Sequence, residues 1–151
     1  MMESRRIDPL LHRAQEHEDA IARVLAERQR QLATQESRLE ELRRYAEEYA
    51  NSQLSSISAA QLANRRAFLD RIDNAVQQQV KNVDSSRANV DVERARLLLA
   101  SRDKQVLEQL AASYRAQERQ VAERRSQREL DDLGARRVRE RHDRVGGDGI
   151  D

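Results

Sequence analysis

Glycine and proline are both missing from the whole stretch between Leu10 and Leu133. Each interrupts helices, glycine through backbone entropy and proline through a lost donor and a steric clash, so their absence permits very long ones. All four glycines lie at or beyond Gly134, which leaves no glycine-rich loop to cradle a phosphate. Cysteine is absent, which excludes a disulfide framework and a thiolate site. Aromatics make up only 3% of the 151 residues, with no tryptophan and one phenylalanine, a composition unlike that of a globule. The sequence has no run of about 18 apolar residues and no N-terminal apolar stretch, so neither a membrane span nor a secretory signal is expected. Charge of one sign is lacking too. The 28 basic and 27 acidic side chains leave a formal net charge of +1, so bulk electrostatics point to no nucleic-acid partner. A cytoplasmic protein follows as the expectation.

What the chain does have is interspersed charge, 36% of its residues, and a phased apolar repeat. The first seam runs Leu11, Ala14, Glu18, Ile21, Leu25, Arg28, Leu32, Gln35, Leu39, Leu42, Ala46, Tyr49, alternating steps of three and four. That alternation averages 3.5 residues, the period of a left-handed coiled coil. A disordered chain of the same polarity would not keep such a stripe in phase. Asp8-Pro9 reads as a helix start, with Asp as cap and Pro at the first helical position. The stretch Asn51-Ser52-Gln53-Leu54-Ser55-Ser56-Ile57-Ser58 reads as a turn, because Ser and Asn compete for backbone hydrogen bonds. Ser58 and Gln61 have capping-box spacing, and Ile57 with Leu62 fits a hydrophobic staple, so a second helix restarts there. Its seam is Leu62, Arg65, Leu69, Ile72, Val76, Gln79, Val83, Ser86, Val90, Glu93, Leu97, Ala100, Lys104, Leu107, Ala111, Tyr114, Glu118, Val121. The expected organisation is an arm over 1–8, a helix over 9–50, a Ser-rich turn over 51–58, a longer helix over 59–133 and a frayed tail over 134–151.

The two seams mirror each other about Ser55-Ser56. Partners whose residue numbers total 111 bring Leu42 to Leu69, Leu39 to Ile72 and Ile21 to Val90. One layer in that register sets Glu18 against Glu93, and a slip of one heptad would preserve the stripe equally well. The fold class is therefore all-α, a two-helix antiparallel coiled-coil hairpin with the second helix longer than the first. In the 111 register the second helix overhangs from about Asp103, exposing Leu107, Leu110, Ala111, Tyr114 and Val121. Two helices alone make a thin core, so a partner protein or weak self-association through the overhang is expected.

Residues for chemistry are mostly wanting. His12 and His17 are five apart and do not share a helix face as a zinc pair would. No second layer of structure could desolvate a carboxylate pair, and a two-helix rod has no concave, water-excluding site. No catalytic residue, metal site or cofactor is expected. Three of the four aromatics, Tyr45, Tyr49 and Phe68, do cluster near the hairpin tip. Tyr45 and Phe68 fall at flanking positions that usually carry charge, beside Ala75 and above Leu42 and Ile72. The rings either shield the seam or form an exposed docking patch, since aromatics dominate interface hot spots.

The order Leu42-x-x-Tyr45-x-x-x-Tyr49, Arg66-Ala67-Phe68-Leu69-x-x-Ile72-x-x-Ala75, Lys104-x-x-Leu107-Glu108-x-Leu110 and Glu129-Leu130-Asp131-Asp132-Leu133-Gly134-Ala135-Arg136-Arg137 resembles the flagellar export protein family FliJ. The resemblance spans nearly the whole chain and implies a coiled-coil stalk of the flagellar type III export apparatus, held at the inner membrane peripherally through that apparatus. Its implied partners are the export ATPase ring, the export-gate membrane protein and export chaperones. Leu42, Tyr45, Tyr49, Phe68, Ile72 and Ala75 match the family's gate-binding face. Analogy with rotary stalks puts the terminal end in the ring, with Arg5, Arg6 and Arg13 as candidate contacts. Gln79 stands where the resemblance implies a protonatable side chain, a departure that argues against a pH-sensitive role there. The alternatives are a homo-oligomeric coiled-coil scaffold and the stalk of a non-flagellar secretion system.

Overall fold

The computed structural model describes residues 2–52 and 58–147. It holds two helices, α1 (Met2–Asn51) and α2 (Ala59–Gly146), paired as an antiparallel hairpin with α2 the longer. The chain divides into two units, one of Ala14–Asp103 and one of Met1–Arg13 with Lys104–Asp151. Most of the expected Ser-rich turn, 53–57, lies outside the described residues, and so does the staple residue Ile57. The capping box is present. Gln61 N–H donates to Ser58 Oγ at 3.2 Å, and Ser58 N–H donates to Gln61 Oε1 at 3.1 Å. Two of the free donors at the start of α2 are thereby satisfied.

The seams are where the spacing put them. Every seam position of α1 from Leu11 to Tyr49 is half-buried, and on α2 Ile72, Val83, Val90, Ala100 and Ala111 are buried. Val90, 1% exposed, is the most enclosed large side chain, and such burial stabilises by about 1.5–3 kcal/mol. Outside the seam, ion pairs such as Arg44–Glu40 at 2.9 Å are exposed; each contributes only about 0.3–0.5 kcal/mol.

The register differs from the 111 pairing. Within Ala14–Asp103 the helices meet through Gln79 and Gln35, Arg87 and Glu36, and Phe68 with Tyr45 and Tyr49. Those residue numbers total 114, 123, 113 and 117, all above 111. In the other unit Ser4 bonds Glu118 and Asp8 pairs with Arg115, totals of 122 and 123. All of these totals exceed 111, so the contacts in both units are displaced towards the pairing one heptad on, at 118. The physical reason is Glu18 and Glu93. At 111 they share a layer, and two like charges about 4 Å apart repel by roughly 1–4 kcal/mol. At 118 Glu18 is level with Ala100, while Glu93, 6% exposed, sits in the seam with its carboxylate 2.9 Å from Arg96.

Two boundaries differ as well. The first helix begins at Met2 rather than at residue 9, and Pro9 lies inside it. Pro9 removes one i→i−4 bond, a loss of about 3 kcal/mol in a helix interior. The helix persists upstream because Ile7, 5% exposed, packs at a further seam position, and because the Ser4 hydroxyl donates to Glu118 at 2.9 Å. The second helix continues through Gly134 to Gly146 instead of fraying at 134. A single internal glycine costs about 1 kcal/mol relative to alanine, too little to stop a helix flanked by Leu133, Ala135 and Arg136. In consequence the expected overhang from Asp103 is covered through Glu118, and Ala111 is only 1% exposed. From Val121 onward every described residue is exposed.

Candidate functional site

The closed end of the hairpin carries the aromatic cluster. Tyr45 and Tyr49 are one turn apart on α1, with ring centroids separated by 6.5 Å. Phe68 of α2 lies 4.6 Å from the Tyr49 ring and meets Tyr45 edge-on at 6.4 Å. Such geometries set the positive ring edge against the negative face. Tyr49 and Phe68 are half-buried, whereas Tyr45, 51% exposed, and Ala75 are exposed. Leu42 is half-buried; with Tyr45, Arg38, Glu41 and Gln79 it lines a shallow groove of about 390 Å³. Ile72 is 6% exposed, a core residue beneath this face rather than part of its surface. Of the six residues read from sequence, Tyr45 and Ala75 are therefore open, Leu42, Tyr49 and Phe68 present edges, and Ile72 supports them.

Arg65 organises the same end in a way the sequence reading missed. Its guanidinium donates to the main-chain oxygens of Tyr49 at 3.1 Å, Ala50 at 2.9 Å and Ser52 at 3.3 Å. The same group lies 5.6 Å from the Tyr49 ring centroid, within range of a cation–π contact. The last turn of α1 has no basic residue of its own. Its orphan carbonyls and negative dipole end are thus neutralised from the partner helix. A charged residue at a seam position, level with a helix end lacking a cation, is the signal that could have revealed it.

Gln79, 8% exposed, donates through Nε2 to Gln35 Oε1 at 2.7 Å and to the Gln35 main-chain oxygen at 2.9 Å. This neutral amide is a structural clasp with no proton to gain or lose near neutral pH. Arg5, Arg6 and Arg13 are exposed and belong to the unit containing Lys104–Asp151, whereas the aromatic cluster belongs to Ala14–Asp103. Among the described residues no group of His, Asp or Glu could hold a metal ion, and none of the helices is long and apolar enough to cross a membrane.

A family model described as "Flagellar FliJ protein" matches residues 2–143. Neither the curated proteins nor the solved structures yield a match.

Proposed function

This chain belongs to the flagellar FliJ protein family, and from that premise we propose that it is the stalk-like coupling protein of the flagellar type III export apparatus. The coarser statement follows from membership alone: it is a flagellar export-related coiled-coil protein of a non-catalytic family. In the finer reading the hairpin works between the export ATPase ring and the export-gate membrane protein, and it escorts export chaperones. A stiff, asymmetric hairpin makes different contacts with each interface of a ring. It biases which interface is competent through those differences and hydrolyses nothing itself.

The observation that carries this reading is the exposed aromatic edge at the closed end. Tyr45, 51% exposed, is held over Tyr49 and Phe68 while Arg65 locks the end of α1 beneath them. A large side chain fixed on a rigid support loses little entropy on binding, which is what an interface anchor requires. Tyr45, Ala75, Leu42, Tyr49 and Phe68 form the gate-docking face, with Ile72 as its floor. Arg5, Arg6 and Arg13 are assigned to the ring, where their fixed positive charge suits acidic or carbonyl-rich loops. Peripheral association with the inner membrane would then be indirect, through the gate. The flagellar family match favours this over a stalk from another secretion system.

The test is deletion of the gene with complementation, scored by filament subunits appearing in the culture medium and by swimming. Binding of the purified full chain to the gate's cytoplasmic domain is measured by calorimetry in parallel. Lost export with measurable gate binding is expected; normal export by the deletion strain would reject the reading.

A further inference from the structure

We propose that the uncovered end of α2 pairs with the same segment of a second copy of this chain, antiparallel and centred on Gly134. From Val121 every described residue of α2 is exposed, yet the helix continues to Gly146 and keeps apolar side chains in the open. Leu130 is 62% exposed, Val138 67% and Val145 78%. Steps of four, four and seven residues take Leu130 to Gly134, Val138 and Val145, so all four lie on one helix face. Gly134 sits in the middle of that face, where a Cβ would meet nothing within 4 Å. No neighbour in its own chain requires a glycine there, although it costs about 1 kcal/mol in helix stability. A glycine at a crossing point lets two backbones approach closely.

Charge selects the occupant and its direction. Just before Gly134 stand Glu129, Asp131 and Asp132, preceded by Arg124, Arg125 and Arg128; just after it stand Arg136, Arg137, Arg139, Arg141 and Arg144, interrupted by Glu140 and Asp143. Antiparallel pairing also sets Arg128 level with Glu140 and Arg125 level with Asp143, with Arg124 and Arg144 the one like-charge layer. In a parallel pair each block would face its own kind. In an antiparallel pair centred on Gly134 the acidic block of one copy is level with the basic block of the other. The same arrangement brings Leu130 level with Val138 of the second copy and sets Glu123 within a turn of its Arg141. The segment is thus self-complementary in both charge and apolar surface, which a generic partner helix would not demand. The contact is short, below the size of a standard stable interface, so a reversible dimer with Kd of about 10–100 µM is expected.

Sedimentation equilibrium of the full chain between about 5 and 300 µM, a range bracketing that Kd, tests the proposal. Leu130→Arg and Val138→Arg alter exposed positions, so the melting curve of the hairpin should not move, while dimerisation should weaken at least tenfold. Direction is read with single cysteines, since the chain has none of its own. A short bismaleimide should join Leu130→Cys to Val138→Cys chains in preference to joining Leu130→Cys chains to one another. A wild-type chain monomeric throughout, a dimer unaffected by Leu130→Arg, or cross-linking dominated by Leu130→Cys pairs would each overturn the proposal.

Discussion

Gln79 of α2 grips Gln35 of α1 twice, at the side-chain oxygen and at the main-chain oxygen, 2.7 and 2.9 Å away. This bond lies within the seam, and a buried polar pair there distinguishes one heptad register from the next. Replacing Gln79 with Ala removes both bonds and leaves a small cavity in the seam. A loss of about 1–3 kcal/mol is expected by urea unfolding followed by circular dichroism. Loss below a few tenths would mean that the clasp contributes nothing to the pairing.

Arg65→Ala should loosen the end of α1 without unzipping the hairpin. Three carbonyls lose their donor and the dipole end loses its counter-charge, worth about 1–2 kcal/mol together. Amide exchange should accelerate over the last turn of α1 and stay unchanged around Val90. Arg65→Lys should rescue only part of the effect, because an ammonium lacks the planar fork that reaches several oxygens at once.

Pro9 and Ile7 make opposite predictions two residues apart. Pro9→Ala restores a backbone donor inside α1 and should slow exchange in the first two turns, a local gain of about 1–3 kcal/mol. Ile7→Ala removes a buried side chain and should free the same turns, at a loss of about 2–4 kcal/mol, while exposing Ala111. If Ile7→Ala leaves exchange at both places unchanged, α1 does not pack upstream of Pro9.

The seam itself was legible because its signal repeats: every position from Leu11 to Tyr49 obeys one 3-4 alternation and each is half-buried. The capping box at Ser58 and Gln61 was legible for a similar reason, since it depends only on neighbours in sequence. Register was not, because a slip of seven residues preserves every apolar match. The Glu18–Glu93 conflict in the 111 pairing is the one clue in the sequence that separates the two registers. The helix ends depart from their local signals because packing of Ile7 carries α1 past Asp8-Pro9 and because the cost of Gly134 is too small to stop α2. At the tip the cluster of Tyr45, Tyr49 and Phe68 could be placed from its seam and flanking positions, and Ile72 beneath it from the seam, but the role of Arg65 in capping α1 could not.

Within the cluster, Phe68 and Tyr45 should separate stability from surface. Phe68 packs 4.6 Å from Tyr49, so Phe68→Ala should destabilise the closed end by about 2–4 kcal/mol. Tyr45 is half in solvent, and Tyr45→Ala should cost less than about 1 kcal/mol. Thermal melts of the two single variants distinguish these values. Equal losses would mean that both rings are simply core.

That difference makes Tyr45→Ala the most direct probe of the docking role. Affinity of the full-length variant for the cytoplasmic domain of the export gate should be measured by calorimetry, with helicity and melting temperature recorded on the same sample. A tenfold or greater loss of affinity with an unchanged melt is expected, and unchanged affinity would contradict the assignment of this face to the gate.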